Sequence, residues 1–189
     1  MKNLTHGKLL NKAGHDRYAN PDAPKKVLEY ISRTNGMPTD DLVAWGGLGV
    51  WEFLGVDTVI DQFYVAQKKY TRKGDFGRYV DHEIFSFSTE AENAINENKL
   101  DIDEIARKMA YDIYDYDNCQ VAYAVHRRSE IDKYLHIHFV INTVNYITGN
   151  KRRENIRQTK ERENRFNKII DAALESAKNP ESLSSGHPL

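Results

Sequence analysis

The stretch YLHIHFVIN, Tyr134 to Asn142, decides how the chain is read. Side chains of a strand alternate, so His136, His138, Val140 and Asn142 share one face while Ile137, Phe139 and Ile141 share the other. The apolar face anchors the strand to a core. The histidine face must find partners, because each buried imidazole without one costs roughly 1–3 kcal/mol. A divalent cation would satisfy both rings. Upstream, CQVAYAVH (Cys119 to His126) is a compact β-rich run ending in a third histidine, and the short RRSEIDKYL connection predicts an antiparallel hairpin. That hairpin would bring His126 towards His136. Three imidazoles suit zinc, manganese or nickel and leave positions open for substrate oxygens. The alternative for the HxH pattern alone is an ordinary surface-facing strand.

The rest of the composition narrows the class. With 189 residues, 40% of them hydrophobic, the chain is long enough for one globular domain, expected over residues 1–178, with a flexible tail at 179–189. Cys119 is the single cysteine, which excludes an internal disulfide framework and a CxxC zinc site, and a reducing compartment fits. The N-terminal stretch lacks the apolar region of a signal peptide, and no run approaches the ~18 apolar residues of a membrane span. These features predict a cytoplasmic protein with no membrane partner.

The formal net charge is −1, yet the charges are segregated along the chain. KKYTRKGDFGR (Lys68 to Arg78) and the segment from Lys151 to Lys168 are basic, whereas Leu100 to Asp117 is acidic. The basic stretches nominate Arg72, Lys73, Arg78, Lys151, Arg152 and Arg153 as phosphate contacts, against the plainer reading of solvated helix surface.

Helical spacing runs through PDAPKKVLEYISRTNG, with Asp22 as the expected N-cap and Gly36 as the stop, and this helix carries Tyr30. LVAWGGLGVWEFLG reads as strand and loop, and DTVIDQFYVAQKKYT as a helix capped by Asp57. RYVDHEIFSFS alternates as a strand, with His82, Ile84, Ser86 and Ser88 on one side. LDIDEIARKMAYDIYDY and a long charged segment from about Asn155 to Lys178 complete the helices. Trp45, Trp51 and Tyr70 are either stacking platforms for bases or core residues.

With these segments in place the chain resembles the conjugative relaxases of the mobilisation-protein and VirD type, within the HUH endonucleases. VLEYISR looks like their first motif, with the nucleophilic tyrosine at Tyr30. DHEIFSFS resembles the second, with Ser86 at the position implicated in DNA contact. The segments VH and HIHFVINTVN resemble the third, which maps metal-binding histidines onto His126, His136 and His138, and a trailing asparagine onto Asn142. The resemblance implies an α/β (α+β) sandwich, in which a central, mainly antiparallel sheet is flanked by helices and Tyr30 is poised over a divalent cation (manganese, magnesium or zinc). It further implies nicking and religation of single-stranded or hairpin DNA at an origin of transfer, with accessory relaxosome and coupling proteins as partners. A phenol with an ordinary pKa of ~10 needs activation, and a cation on the scissile phosphate would supply it as a Lewis acid.

The pattern departs from the family in its net acidity, in a slightly longer spacer before the HIH pair, and in a missing carboxylate. Where an aspartate is usual two residues after the first histidine, this chain has Arg128, and Asp132 or Glu130 would have to replace it in orienting an imidazole. Tyr18 is a competing nucleophile. Rolling-circle initiators and transposases place their tyrosine after the histidine pair, where Tyr146 comes first and no YxxxK helix follows. A non-catalytic DNA-binding module is the remaining reading.

Overall fold

The computed structural model describes residues 5–11, 18–70, 76–129 and 133–178. The expected tail at 179–189 lies outside them, as do Arg72, Lys73, Glu130 and Asp132. The strands are β1 (Gly7–Asn11), β2 (Leu42–Leu48), β3 (Val80–Phe87), β4 (Cys119–His126) and β5 (His136–Asn145). The helices are α1 (Ala23–Ile31), α2 (Val56–Gln67), α3 (Thr89–Glu97), α4 (Ile102–Asp117) and α5 (Ile156–Lys178). The strands form one sheet in the order β1-β3-β5-β4-β2, with every pairing antiparallel. This is the expected α+β sandwich.

Alternation builds its two layers. Phe85, Tyr123, Val125, Ile137, Phe139 and Ile141 point to one face, where Met109 and Ile113 of α4 and Phe166 and Ile170 of α5 complete a core. Val80, Ala122, Ala124 and Val140 point to the other, under Leu28 and Ile31 of α1 and Val59 and Phe63 of α2. Small alanines on β4 let α1 approach the sheet closely, which sets the first helix beside the histidines.

Local chemistry moves several boundaries. Asp22 precedes α1, but its side chain makes no cap hydrogen bond. The helix ends at Ile31 and is closed by Arg33, not Gly36: Arg33 is left-handed (φ 59°), and Thr34 N donates to Glu29 O at 3.0 Å in a Schellman closure. Gly55, with φ 95°, is the N-cap of α2, and the expected cap Asp57 sits in the first turn, where its charge complements the helix dipole. β1 and α3 are absent from the sequence reading. β1 pairs with β3 from Gly7↔Phe87 to Asn11↔Glu83, and Leu9 N donates to Glu163 of α5 at 3.0 Å. Ser88 ends no strand but caps α3, its Oγ accepting from Ala91 N. No helix among the described residues is long and apolar enough to cross a membrane.

Candidate metal centre

The β4–β5 hairpin sets His126 directly opposite His136, and Ala124 opposite His138. On the other side β3 sets Ser86 opposite His136 and Ile84 opposite His138. Pleating sends the three imidazoles to the α1 face, where one nitrogen from each of His126, His136 and His138 lies within 4.8 Å of the others. All three rings are buried.

Each ring is held by its second nitrogen or by a neighbour. His136 Nδ1 donates to the carbonyl of Tyr134 at 2.9 Å, so its Nε2 is the acceptor, and that atom lies 3.1 Å from His138 Nε2. Two imidazole nitrogens this close could serve as ligands of one ion. His138 Nδ1 lies 2.8 Å from His82 Nε2, and His82 Nδ1 lies 3.0 Å from the Tyr18 hydroxyl. His126 Nε2 donates to the carbonyl of Ile31 at 2.8 Å, while its Nδ1 accepts from Arg33 Nη2 at 3.0 Å. Burial pushes the His138 pKa well below its ordinary range, with the neighbouring histidines adding to the effect. Burial likewise takes His126 down to about 4, with the Ile31 carbonyl opposing and Arg33 reinforcing. Both rings are therefore neutral near pH 7, the form that binds a metal.

The donor set fits a divalent ion. His136 Nε2 and His138 Nε2 face each other, and His126 lies beside them, so the three rings would hold such an ion. Arg33 is itself tightly fixed. Its guanidinium grips Asp41 through two bonds, Nε to Oδ1 at 3.0 Å and Nη2 to Oδ2 at 2.5 Å, and donates to the Tyr30 carbonyl at 3.1 Å. The left-handed backbone at Arg33 folds this side chain back under α1, with its guanidinium carbon 5.1 Å from the Tyr30 ring centre. Hydrogen bonding to Asp41 raises the Arg33 pKa against burial, and the Tyr30 phenol adds to the rise.

Tyr30 meets the histidines edge-on, its ring 5.8 Å from that of His138 at 81°. Tyr18, Tyr30, His82, Ser86, His136 and His138 line one open cavity of about 320 Å³. The structure thus gathers Tyr30, the three histidines and Ser86 as the sequence reading grouped them.

Other nominated residues go elsewhere. Asn142 is fully buried, donating to the Phe63 carbonyl at 3.0 Å and to Gln120 at 2.9 Å while accepting from Gln67, so it locks β5 to α2 and β4 and is not a DNA contact. Arg152 is also corrected. Its side chain is 2% exposed and ion-paired with Asp81, Glu83, Asp117 and Glu154, which leaves it nothing to offer a phosphate. Arg78 pairs with Asp81. The Lys151 ammonium donates to the Arg78 carbonyl and to Thr143, 3.5 Å from the centre of the Phe76 ring. Arg153 is exposed, beside Lys69 and Tyr70. Arg128 points away from the histidines, to Glu92 at 2.7 Å and Thr89 at 3.2 Å. Trp51 is exposed and Trp45 packs against the α1–α2 core.

Sequence reasoning missed His82, Arg33 and Asp41 as members of the site. His82 carried a signal, since it shares a strand face with Ser86. Arg33 and Asp41 carried none, because only the left-handed turn brings them under the helix.

A buried histidine cluster on an antiparallel sheet, with a tyrosine set against it from the first helix, could hold a divalent ion beside a potential nucleophile. The chain matches the family described as "Relaxase: MobA/VirD2-like, nuclease domain" over residues 30–174 and belongs to that family. No curated protein matches it. Membership carries the general activity of a DNA-nicking relaxase, and Tyr30 is the first residue of the matching stretch.

Proposed function

We propose that residues 1–178 act as one nuclease domain that nicks and rejoins a single DNA strand at the origin of transfer of a plasmid or other mobile element, with Tyr30 as nucleophile. The observation that carries this reading is the edge-on contact of Tyr30 with His138 inside the histidine-lined cavity. The Tyr30 oxygen bonds to the scissile phosphorus as the bond to the 3′-oxygen breaks, and the phenolic proton ends on that oxygen. The products are a 5′-phosphotyrosine and a free 3′-hydroxyl, and because phosphodiester energy is conserved the step reverses to religate. His136 and His138, with His126, would hold a manganese, magnesium or zinc ion, which when bound supplies Lewis-acid neutralisation of the phosphate. The α1 backbone and Arg33 hold Tyr30 in place, so little ordering remains to be done at the moment of attack. Ser86, at the rim beside His136, is placed to contact the strand, and Arg153 and the neighbouring Lys69 to meet its phosphates.

Incubation with oligonucleotides spanning the element's own origin, plus manganese, should give a detergent-stable protein–DNA adduct that Tyr30→Phe abolishes. An adduct of wild-type yield in Tyr30→Phe sinks the assignment. Tyr18 is the second reading, because its hydroxyl contacts His82 and lines the same cavity. An adduct lost only in Tyr18→Phe would move the nucleophile there. Tyr146 is a poor nucleophile on geometry: it follows the end of β5 opposite His136 and stacks on Tyr114 at 5.6 Å, with hydrogen bonding to Tyr114 raising its pKa to about 12.

A further inference from the structure

We propose that His82 is a positioning residue of the metal centre, setting the tautomer of His138 and linking the ion to the Tyr18 hydroxyl. The inference rests on the metal reading above and deepens it. His82 is 5% exposed, and it leaves β3 on the same face as the β5 histidines. Its ring lies 5.0 Å from that of His138, and the two nitrogens that meet are 2.8 Å apart.

Proton bookkeeping along this line has two solutions. A neutral imidazole carries one N–H, and the Tyr134 carbonyl already places that of His136 on Nδ1. Without an ion, the 3.1 Å contact between the two Nε2 atoms needs a hydrogen, so His138 is protonated on Nε2. His138 Nδ1 then accepts from His82 Nε2–H, and His82 Nδ1 accepts from the Tyr18 hydroxyl. Were His136 and His138 to hold an ion, each would present a lone pair from Nε2. His138 would then carry its proton on Nδ1 and donate it to His82 Nε2, and His82, protonated on Nδ1, would donate to the Tyr18 oxygen. Every ring keeps one proton in both states. The Tyr18 hydroxyl, which lines the cavity with Tyr30, would change from donor to accepting partner of His82.

A metal-ligating histidine is normally oriented by an acceptor on its other nitrogen. For His138 that acceptor is an imidazole instead of a carboxylate. The usual carboxylate position, Arg128, faces Glu92 on the outer surface and supplies nothing to the site. A ring that merely filled space at position 82 would not need a nitrogen at 2.8 Å.

The test is cobalt(II) binding to the full chain, followed by its visible absorption, in wild type, His82→Phe and His82→Gln. The Gln side-chain carbonyl can still accept from His138 Nδ1–H. Phe should weaken cobalt binding roughly 10–100-fold, as loss of an outer-shell partner does, while Gln should stay within a few-fold of wild type. Equal affinity in Phe and wild type overturns the role of His82, as does a Gln variant as weak as Phe. Failure of the wild type itself to bind cobalt, zinc or manganese overturns the metal reading, and this inference with it. If His82→Phe does not fold, long-range ¹⁵N–¹H correlation on the zinc-loaded wild type reads the tautomers without a variant. Nδ1–H on both His138 and His82 supports the assignment, and Nε2–H on His82 overturns it.

Discussion

Two buried polar clusters sit on opposite faces of the same strands, and they solve the problem of burial in opposite ways. On the α1 face, His82 and His138 meet as imidazoles, and the ligand rings His126 and His138 are held neutral. On the α5 face, the very next β3 residue, Glu83, is fully buried against Arg162, with bonds of 2.8 and 2.7 Å, and against Arg152 at 3.3 Å. Asp81, Asp117 and Glu154 close that network around the two guanidiniums. The difference lies in what each cluster can still accept. Full charges in low dielectric must be compensated on the spot, so both guanidiniums are ion-paired with carboxylates of the fold itself. Neutral rings carry no charge that must be matched on the spot, and each keeps a nitrogen lone pair, so the histidine face could still take a cation.

The largest effect should come from breaking the closed face. Arg162→Met leaves Glu83 without its principal partner, and loss of one partner from a buried pair costs about 3–5 kcal/mol. Urea melts should show that loss, whereas Glu83→Gln with Arg162→Met together should recover part of it. A change under about 1 kcal/mol for Arg162→Met would mean that the network does not hold α5 to the sheet.

His136→Ala should behave in the reverse sense. The metal-free fold loses the hydrogen bonds to the Tyr134 carbonyl and to His138, each worth about 1 kcal/mol, yet cobalt binding and adduct formation should disappear. A variant that melts as badly as Arg162→Met would erase the distinction between the faces.

Legibility divides along the same line. YLHIHFVIN disclosed the histidine face because alternation of period two is a local rule, and the hairpin to His126 followed from a short connection. Helical spacing disclosed the helix that carries Tyr30, while only the family resemblance singled that residue out. The ionic face was not, because Glu83, Arg152 and Arg162 are far apart in sequence and each alone resembles a solvated surface charge. Arg152 and Arg153 are adjacent and chemically alike, yet one is buried among carboxylates and the other exposed. β1 was hidden in the polar stretch before α1, where only pairing with β3 makes GKLLN a strand. Arg33 escaped because a left-handed arginine is unfavourable locally and is held there by Asp41 and His126.

Acid should separate the faces by pH window. The folded pKa of His126 is lowered from 6.5 to about 4, so the unfolded chain takes up its proton first. Its contribution is complete above pH 6.5 and is lost as pH falls from there towards 4. Burial opposes ionisation of Glu83, but Arg152 and Arg162 outweigh it and hold the pKa below the ordinary carboxylate value of 4.5. Its contribution is complete above that value and is lost only on further acidification. Melts of the metal-free protein should therefore decline in two stages, and His126→Gln should shrink the upper one, leaving the share of His138. A single decline confined below pH 4.5 would show that the histidine face contributes no proton linkage.

The smallest effect belongs to the neighbours at the start of the last connection, and it sharpens the contrast most. Arg153→Ala removes an exposed cation beside Lys69 and Tyr70, so melting should shift by no more than about 0.5 kcal/mol. Binding to single-stranded oligonucleotides should weaken a few-fold, with the salt dependence reduced by about one released counterion. Arg152→Ala, one residue earlier, should fail in the opposite way, by unfolding the ionic face before any DNA contact is measured. An Arg153→Ala protein with unchanged DNA affinity and salt slope would remove this end of the sheet from the path of the strand, leaving Ser86 and the rim of the histidine cavity to guide it.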